Sequence, residues 1–232
     1  MLVISTWLWG DKYKLEDVAK LRAGVRRHLM EDHRFVCFSD RQFLLDDVQV
    51  IAIPDEHLTL LPGCFARLRL FDRRWQDMLW PLKEPTDRLV NVDLDTVITG
   101  PLDWLFSGTE DFMIMRGANS MNPCPYTGAL MMIRPGAHPE LWDDFTLQEA
   151  QKIKRLEFPD DQGWIWHKVP NAHGWTVGPS TGVYAFQKPG WPLHDPFSLP
   201  IGARLVTFIG WRKPSGFANL DWVQKHWRTY ER

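Results

Sequence analysis

Two aspartates separated by one leucine, Asp93 and Asp95, close the apolar run in "RLVNVDLDTVITGPLDWLF", residues 88–106. Like charges beside a hydrophobic strand repel each other and lose hydration, so a chain that puts them there needs a counter-charge. If the run is a strand, alternation puts positions 93 and 95 on one side of its carboxyl end and Leu94 on the other. In open α/β sheets, ligands gather outside those ends. Two hard oxygen donors on one side suit Mg²⁺ or Mn²⁺, which keep several waters and take substrate phosphates in the remaining positions. Such an ion stabilises a diphosphate as it leaves. The plainer alternative is a pair of exposed turn aspartates before Gly100 and Pro101; the preceding "LVNV" favours the metal.

The elements that must position this pair alternate between strand and helix. "LVISTWLW" reads as a strand, and Leu15, Val18, Leu21, Val25 and Leu29 recur at helical spacing behind it. "RFVCFS" (34–39) and "VQVIAI" (48–53) read as two more strands, a helix is predicted over 65–79, and "RLVNVD" is the fourth strand. Strand–helix–strand units of this length predict a mostly parallel sheet with covered faces. Further on, "DFMIM", "ALMMI", "WTVG", "VYAF" and "RLVTFIG" read as strands. Helices are predicted over 139–155, 160–169 and 219–230. Pro and Gly cluster between Pro179 and Gly202, marking a loop-rich region able to cover a site. The expectation is a single α/β domain, with a nucleotide-binding half over about 1–106 and an acceptor-side half over about 107–232.

Composition narrows the classes. With 232 residues, 44% hydrophobic and 24% charged, the chain can bury a core. A formal net charge of −2 gives no pull toward nucleic acid. The three cysteines form no CxxC pair, which excludes a sequence-evident zinc site or disulfide framework and fits a reducing cytoplasm. The start lacks the basic lead-in of a signal peptide, and no apolar run approaches the ~20 residues that span a bilayer, so membrane contact would be peripheral. The 13 tryptophans are expected mostly in cores, with the remainder available to stack on a sugar or base.

Several stretches, in order from Val3 to Pro214, together resemble the GT-A-fold glycosyltransferases of the family-8 type, which includes lipopolysaccharide galactosyltransferases. "VNVDLDTVITGPLDWLF" is similar to that family's strand, DxD motif, turn and short helix. "CFARLRLF" (64–71) resembles its arginine-bearing helix, and "YTGALMMIRPG" (126–136) its glycine-bearing strand. "PDDQGWIW" (159–166) resembles its Asp-Gln helix start, and "VTFIGWRKPSG" (206–216) its "HFxGxxKPW" segment. The resemblance implies a mixed, mostly parallel GT-A sheet and a metal-dependent enzyme. That enzyme would move a sugar from a nucleotide-diphospho-sugar, UDP above all, to an acceptor hydroxyl with retention of configuration. It implies that Asp93 and Asp95 hold Mn²⁺ or Mg²⁺ and that Arg67, Asp161 and Gln162 serve the donor sugar and anomeric carbon. Thr127 and Gly128 would line the donor site. Lys213 would meet the phosphates where Gly210 allows close approach, and Thr6, Trp9 and Tyr13 would meet the base. Ser39 and Asp40 are better read as a surface turn.

The pattern also departs from the family. Thr207 stands where the family's metal-binding histidine would be, Ser215 replaces a tryptophan and Tyr126 an asparagine. Metal binding would then rest on the two carboxylates with Thr207, or draw on a histidine such as His194. Two alternatives stay open. One is a phosphatase of haloacid-dehalogenase type with Asp93 as nucleophile, although that motif usually opens its chain and the later acidic pairs, Asp143-Asp144 and Asp160-Asp161, sit in helical or proline-led settings. The other is a non-catalytic nucleotide- or saccharide-binding module of the same fold.

Overall fold

The computed structural model describes residues 1–79, 84–118, 123–153 and 159–230. Its strands are β1 (Leu2–Leu8), β2 (His33–Ser39), β3 (Val48–Ala52), β4 (Arg88–Val92), β5 (Thr96–Ile98), β6 (Phe112–Arg116), β7 (Tyr126–Ile133), β8 (Val183–Ala185) and β9 (Leu205–Thr207). The helices are α1 (Leu15–His28), α2 (Glu56–Thr59), α3 (Arg73–Leu79), α4 (Asp103–Phe106), α5 (Glu140–Asp143), α6 (Leu147–Gln151), α7 (Asp161–Lys168) and α8 (Asp221–His226).

Among the described residues, the main sheet runs β3-β2-β1-β4-β7-β6. β1 pairs in parallel with both β2 and β4, and β2 with β3. β7 lies antiparallel to β4 and β6, so the sheet is mixed and mostly parallel, as expected. The central strands are buried on both faces: Val3 and Trp7 of β1 enter one core, and Leu2, Ile4 and Leu8 the other. That explains why they read as continuous apolar runs. Strand order switches at β1, with β2 and β3 on one side and the parallel β4 on the other, so the loops after β1 and β4 flank a crevice of the kind that takes ligands. A smaller sheet, β5-β9-β8, sits over a third core rich in aromatics, including Trp191 and Trp222. No helix among the described residues is long and apolar enough to cross a membrane.

The structure corrects several expectations. The helix over 65–79 is a tight three-residue-per-turn helix, Phe65–Phe71, followed by α3. The break falls at Asp72, whose backbone is extended and whose carboxylate accepts from the Arg74 amide and pairs with Arg69. The helix over 139–155 is two short ones, because the Thr146 hydroxyl caps a new start by accepting from the Glu149 amide; 154–155 lie outside the described residues. "WTVG" contributes isolated bridges rather than a strand, and the last helix spans only Asp221–His226. β5, immediately after the aspartates, was not expected.

Candidate active site

The aspartates do not extend β4. Asp93 donates its amide to the Ala129 carbonyl at 3.0 Å, and the Thr96 amide returns to the Asp93 carbonyl at 3.2 Å, so the pair sits in the turn joining β4 to β5. Leu94 is buried in the core below. Asp95 is held from the small sheet: the Phe208 amide donates to its carbonyl at 2.9 Å, and Thr207 Oγ1 lies 3.5 Å from its Oδ1. Only 6% of Asp95 is exposed. Burial, and then repulsion from Asp93, push its carboxyl up to about 7, while the Tyr13 hydroxyl, donating to Oδ2 at 2.6 Å, pulls the other way.

Arg67 organises the other side. Its guanidinium is buried, with Nη1 donating to both Asp93 oxygens at 2.7 and 2.9 Å and to the Gly128 carbonyl at 3.1 Å. Its Nε lies 2.8 Å from Oδ2 of Asp161, which is 1% exposed. Two carboxylates thus share one guanidinium, which they hold firmly protonated against the cost of burial. The α7 start makes this division of labour explicit. Asp160 caps the helix, its Oδ1 accepting from the Gly163 amide at 2.7 Å, which leaves the Asp161 side chain for Arg67. Gln162 reaches back, its Oε1 accepting from the Gly128 amide at 3.3 Å.

Two glycines are fixed by close approach. A Cβ on Gly128 would stand 2.8 Å from Arg67 Nη2 and 3.1 Å from its Cζ. Gly128→Ala is therefore expected to push the guanidinium off Asp93 at a cost of about 1–3 kcal/mol in urea unfolding, and an unchanged midpoint would refute this packing. Gly63 has φ +99°, and a Cβ there would meet the Pro159 carbonyl at 2.7 Å. Its own carbonyl accepts the Asp161 amide at 2.8 Å, so the 61–64 loop is laid directly on α7.

Between that loop and the one after β1 lies a cavity of about 210 Å³. Trp7, Trp9, Leu61 and Pro62 give it apolar walls, and Lys12, Tyr13, Arg67 and Asp93 its charged and polar ones. The structure thus brings Trp9, Tyr13, Arg67 and Asp93 to one cavity, with Asp95, Asp161, Gln162 and Gly128 bonded directly behind them. Lys213 joins from the far end of the chain, its Nζ donating to the Lys12 carbonyl and lying 4.8 Å from the Tyr13 ring centre. Gly210, at φ +81° with open space around it, shapes the turn leading there.

Other expected residues lie elsewhere. Thr6 and Thr127 are buried in β1 and β7, with hydroxyls that find no partner among the described residues. Ser39 and Asp40 form a turn: Asp40 Oδ2 accepts from the Gly10 amide at 2.8 Å, steadying the loop after β1. Among the described residues, no group of three or more His, Cys, Asp or Glu side chains assembles as a metal site, so exposed His194 does not join the aspartates. Sequence reasoning missed Lys12 and Cys64. The one signal for Lys12 was its place beside Tyr13; Cys64, a left-handed residue at φ 56° with a thiol pushed up to about 11 by burial, offered none.

No protein-family model matches the sequence, and no curated protein matches it. Solved structures do. The galactosyltransferase LgtC, in complex with donor and acceptor sugar analogues, superposes with a TM-score of 0.58 at 11% identity, over 91% of this chain and 88% of that one. An active-site Gln-to-Glu mutant of LgtC gives 0.58 at 12% identity, over 91% and 89%. The apo form of the glycosyltransferase GlyE of Streptococcus pneumoniae TIGR4 gives 0.60 at 13% identity, over 96% of this chain and 62% of that one. The strand order, the acidic turn after β4 and these superpositions together give the chain the GT-A fold of those glycosyltransferases.

Proposed function

We propose that the protein is a glycosyltransferase that takes a sugar from a nucleotide-diphospho-sugar, with UDP as the nucleotide, and passes it to an acceptor hydroxyl with retention of configuration. The observation that carries the reading is the Asp93–Arg67–Asp161 bridge on the wall of a cavity at the β1/β4 crevice, with Asp95 buried beside it. Such a cluster is costly to bury, and in this crevice its use is recognition of a polar, charged donor.

Asp93 and Asp95 are the residues that would hold Mn²⁺ or Mg²⁺. The donor set fits: both are hard carboxylates with lone pairs beyond those used by Arg67 and Tyr13, and the raised Asp95 carboxyl marks negative charge that a cation relieves. When bound, such an ion neutralises the departing diphosphate. The chain's own residues do the remainder. Arg67 fixes the Asp93 carboxylate and presents a guanidinium edge to the sugar, while at the α7 start Asp161 braces Arg67 from behind and Gln162 holds the Gly128 amide. Trp9 offers a flat aromatic face on which the base can stack, and Leu61 helps keep water out of the cavity. Residues 107–232 would hold the acceptor hydroxyl against the anomeric carbon. The phosphatase alternative draws no such support, since the structures that superpose on the chain are glycosyltransferases.

The test is a thermal-shift panel of UDP-, GDP- and CDP-sugars with and without Mn²⁺, followed by product analysis with any sugar nucleotide that binds. A metal-dependent shift for one nucleotide, with turnover, is the expected result. No shift with any of them removes the reading, and binding without turnover or hydrolysis leaves a non-catalytic module.

A further inference from the structure

The positive charge at the site is unevenly committed. Arg67 is buried and already shared by Asp93 and Asp161. Lys12 and Lys213 are different: among the described residues, neither ammonium has a carboxylate within ion-pair distance. Both lie over one ring, that of Tyr13, at 4.9 and 4.8 Å from its centre. They can therefore be no farther apart than those two distances together. Their closeness is built in, because Lys213 Nζ donates to the backbone carbonyl of Lys12 and so pins two loops 201 residues apart in the chain. Lys12 also lines the cavity that holds Arg67 and Asp93.

Two ammonium groups gathered over one ring repel each other, and contact with an aromatic face returns only part of that energy. Pinning them beside the acidic turn is productive when one multiply charged anion is met by both. A lysine is suited to that task because its ammonium is a compact point charge with three donors, and a diphosphate offers oxygens on two phosphorus atoms to be met at once.

We propose that Lys12 is a diphosphate-binding residue that acts with Lys213 as a two-ammonium bracket on the nucleotide's phosphates. The proposal rests on the donor reading above and extends it to a residue on the loop after β1. Tyr13, the ring both ammoniums approach, positions them: its hydroxyl is fixed on Asp95 and its ring sets where the lysines stand.

Titration calorimetry on the full chain tests this, using UDP, GDP and CDP and the matching monophosphates, each with Mn²⁺ and with EDTA. Lys12→Met is expected to weaken the bound nucleoside diphosphate by about 10-fold or more, the scale of one lost charge-assisted bond. It should weaken the monophosphate less, and Lys12→Arg should restore most of the loss. Diphosphate affinity should also fall less steeply with KCl in Lys12→Met than in wild type, since one charged contact is gone; a merely structural lysine would not alter that slope. Lys12→Met binding the diphosphate as tightly as wild type, with the same salt slope, overturns the proposal while the donor reading stands. Wild type binding no nucleoside diphosphate overturns both.

Discussion

Arg67→Leu is expected to destabilise the fold by about 3–5 kcal/mol at neutral pH, measured by urea unfolding. The guanidinium is the direct partner of the Asp93 and Asp161 carboxylates, and Asp161 is almost wholly inaccessible to water. Removing the cation leaves that acid with neither solvent nor counter-charge. Burial already pushes the Asp161 carboxyl up to about 7, with Arg67 the main influence pulling it down. Without Arg67 it would fold protonated. The double variant Arg67→Leu/Asp161→Asn should therefore lose clearly less than the sum of its parts, because the second change removes the charge the first one stranded. Additive losses, or a single-variant loss within ~0.5 kcal/mol of zero as for an ordinary surface site, would show that the bridge does not hold this part of the fold.

Asp95→Asn should move stability and function in opposite directions. A folded-state carboxyl raised to about 7 keeps its proton while the unfolded chain, in the ordinary carboxylate range, has lost it. Folding therefore takes up a proton between roughly pH 4 and pH 7. The stability linked to Asp95 is fully present below that window and is lost as pH rises through it. Asparagine has no charge to bury and does not titrate, so the variant should be more stable than wild type at pH 8 without metal, and closer to it at pH 5. Urea midpoints at the two pH values measure this. Turnover should fall several hundred-fold, about the 3–4 kcal/mol that one electrostatic group of this kind supplies. A variant destabilised at pH 8 would mean that the negative charge on Asp95 is compensated within the chain.

The contrast between these residues and their neighbours marks what a sequence can convey. β1, β2 and β4 were legible because burial on both faces leaves an unbroken apolar run, α1 because burial on one face writes a period, and β3 through its β-branched residues. The break at Asp72 was not, since apolar spacing does not distinguish a tight helix followed by an α-helix from one longer α-helix; the side-chain bonds of Asp72 decide it. In the site, Asp93, Asp95, Arg67, Asp161 and Gln162 came through as short motifs, but their pairing did not. Arg67 meets partners 26 and 61 positions away, at Asp93 and Gly128, through contacts that leave no local pattern. Side-by-side placement of Asp93 and Asp95 was argued from strand alternation, whereas the structure achieves it with a turn. Lys12 and Cys64 are hard to find for a further reason: each belongs to a loop, where no repeating geometry constrains residue type.

The hold of Thr207 and Phe208 on Asp95 has a consequence in time. As the chain leaves the ribosome, β1 through β4 can pair in the order in which they appear, but the acidic turn lacks its last support until some 112 residues after Asp95 have been made. Long-range contacts of this kind are the slow ones to close. A nascent chain arrested before β9 should therefore present a formed sheet and an unfinished pair of aspartates, and the nucleotide binding proposed above should arrive abruptly, near the end of synthesis.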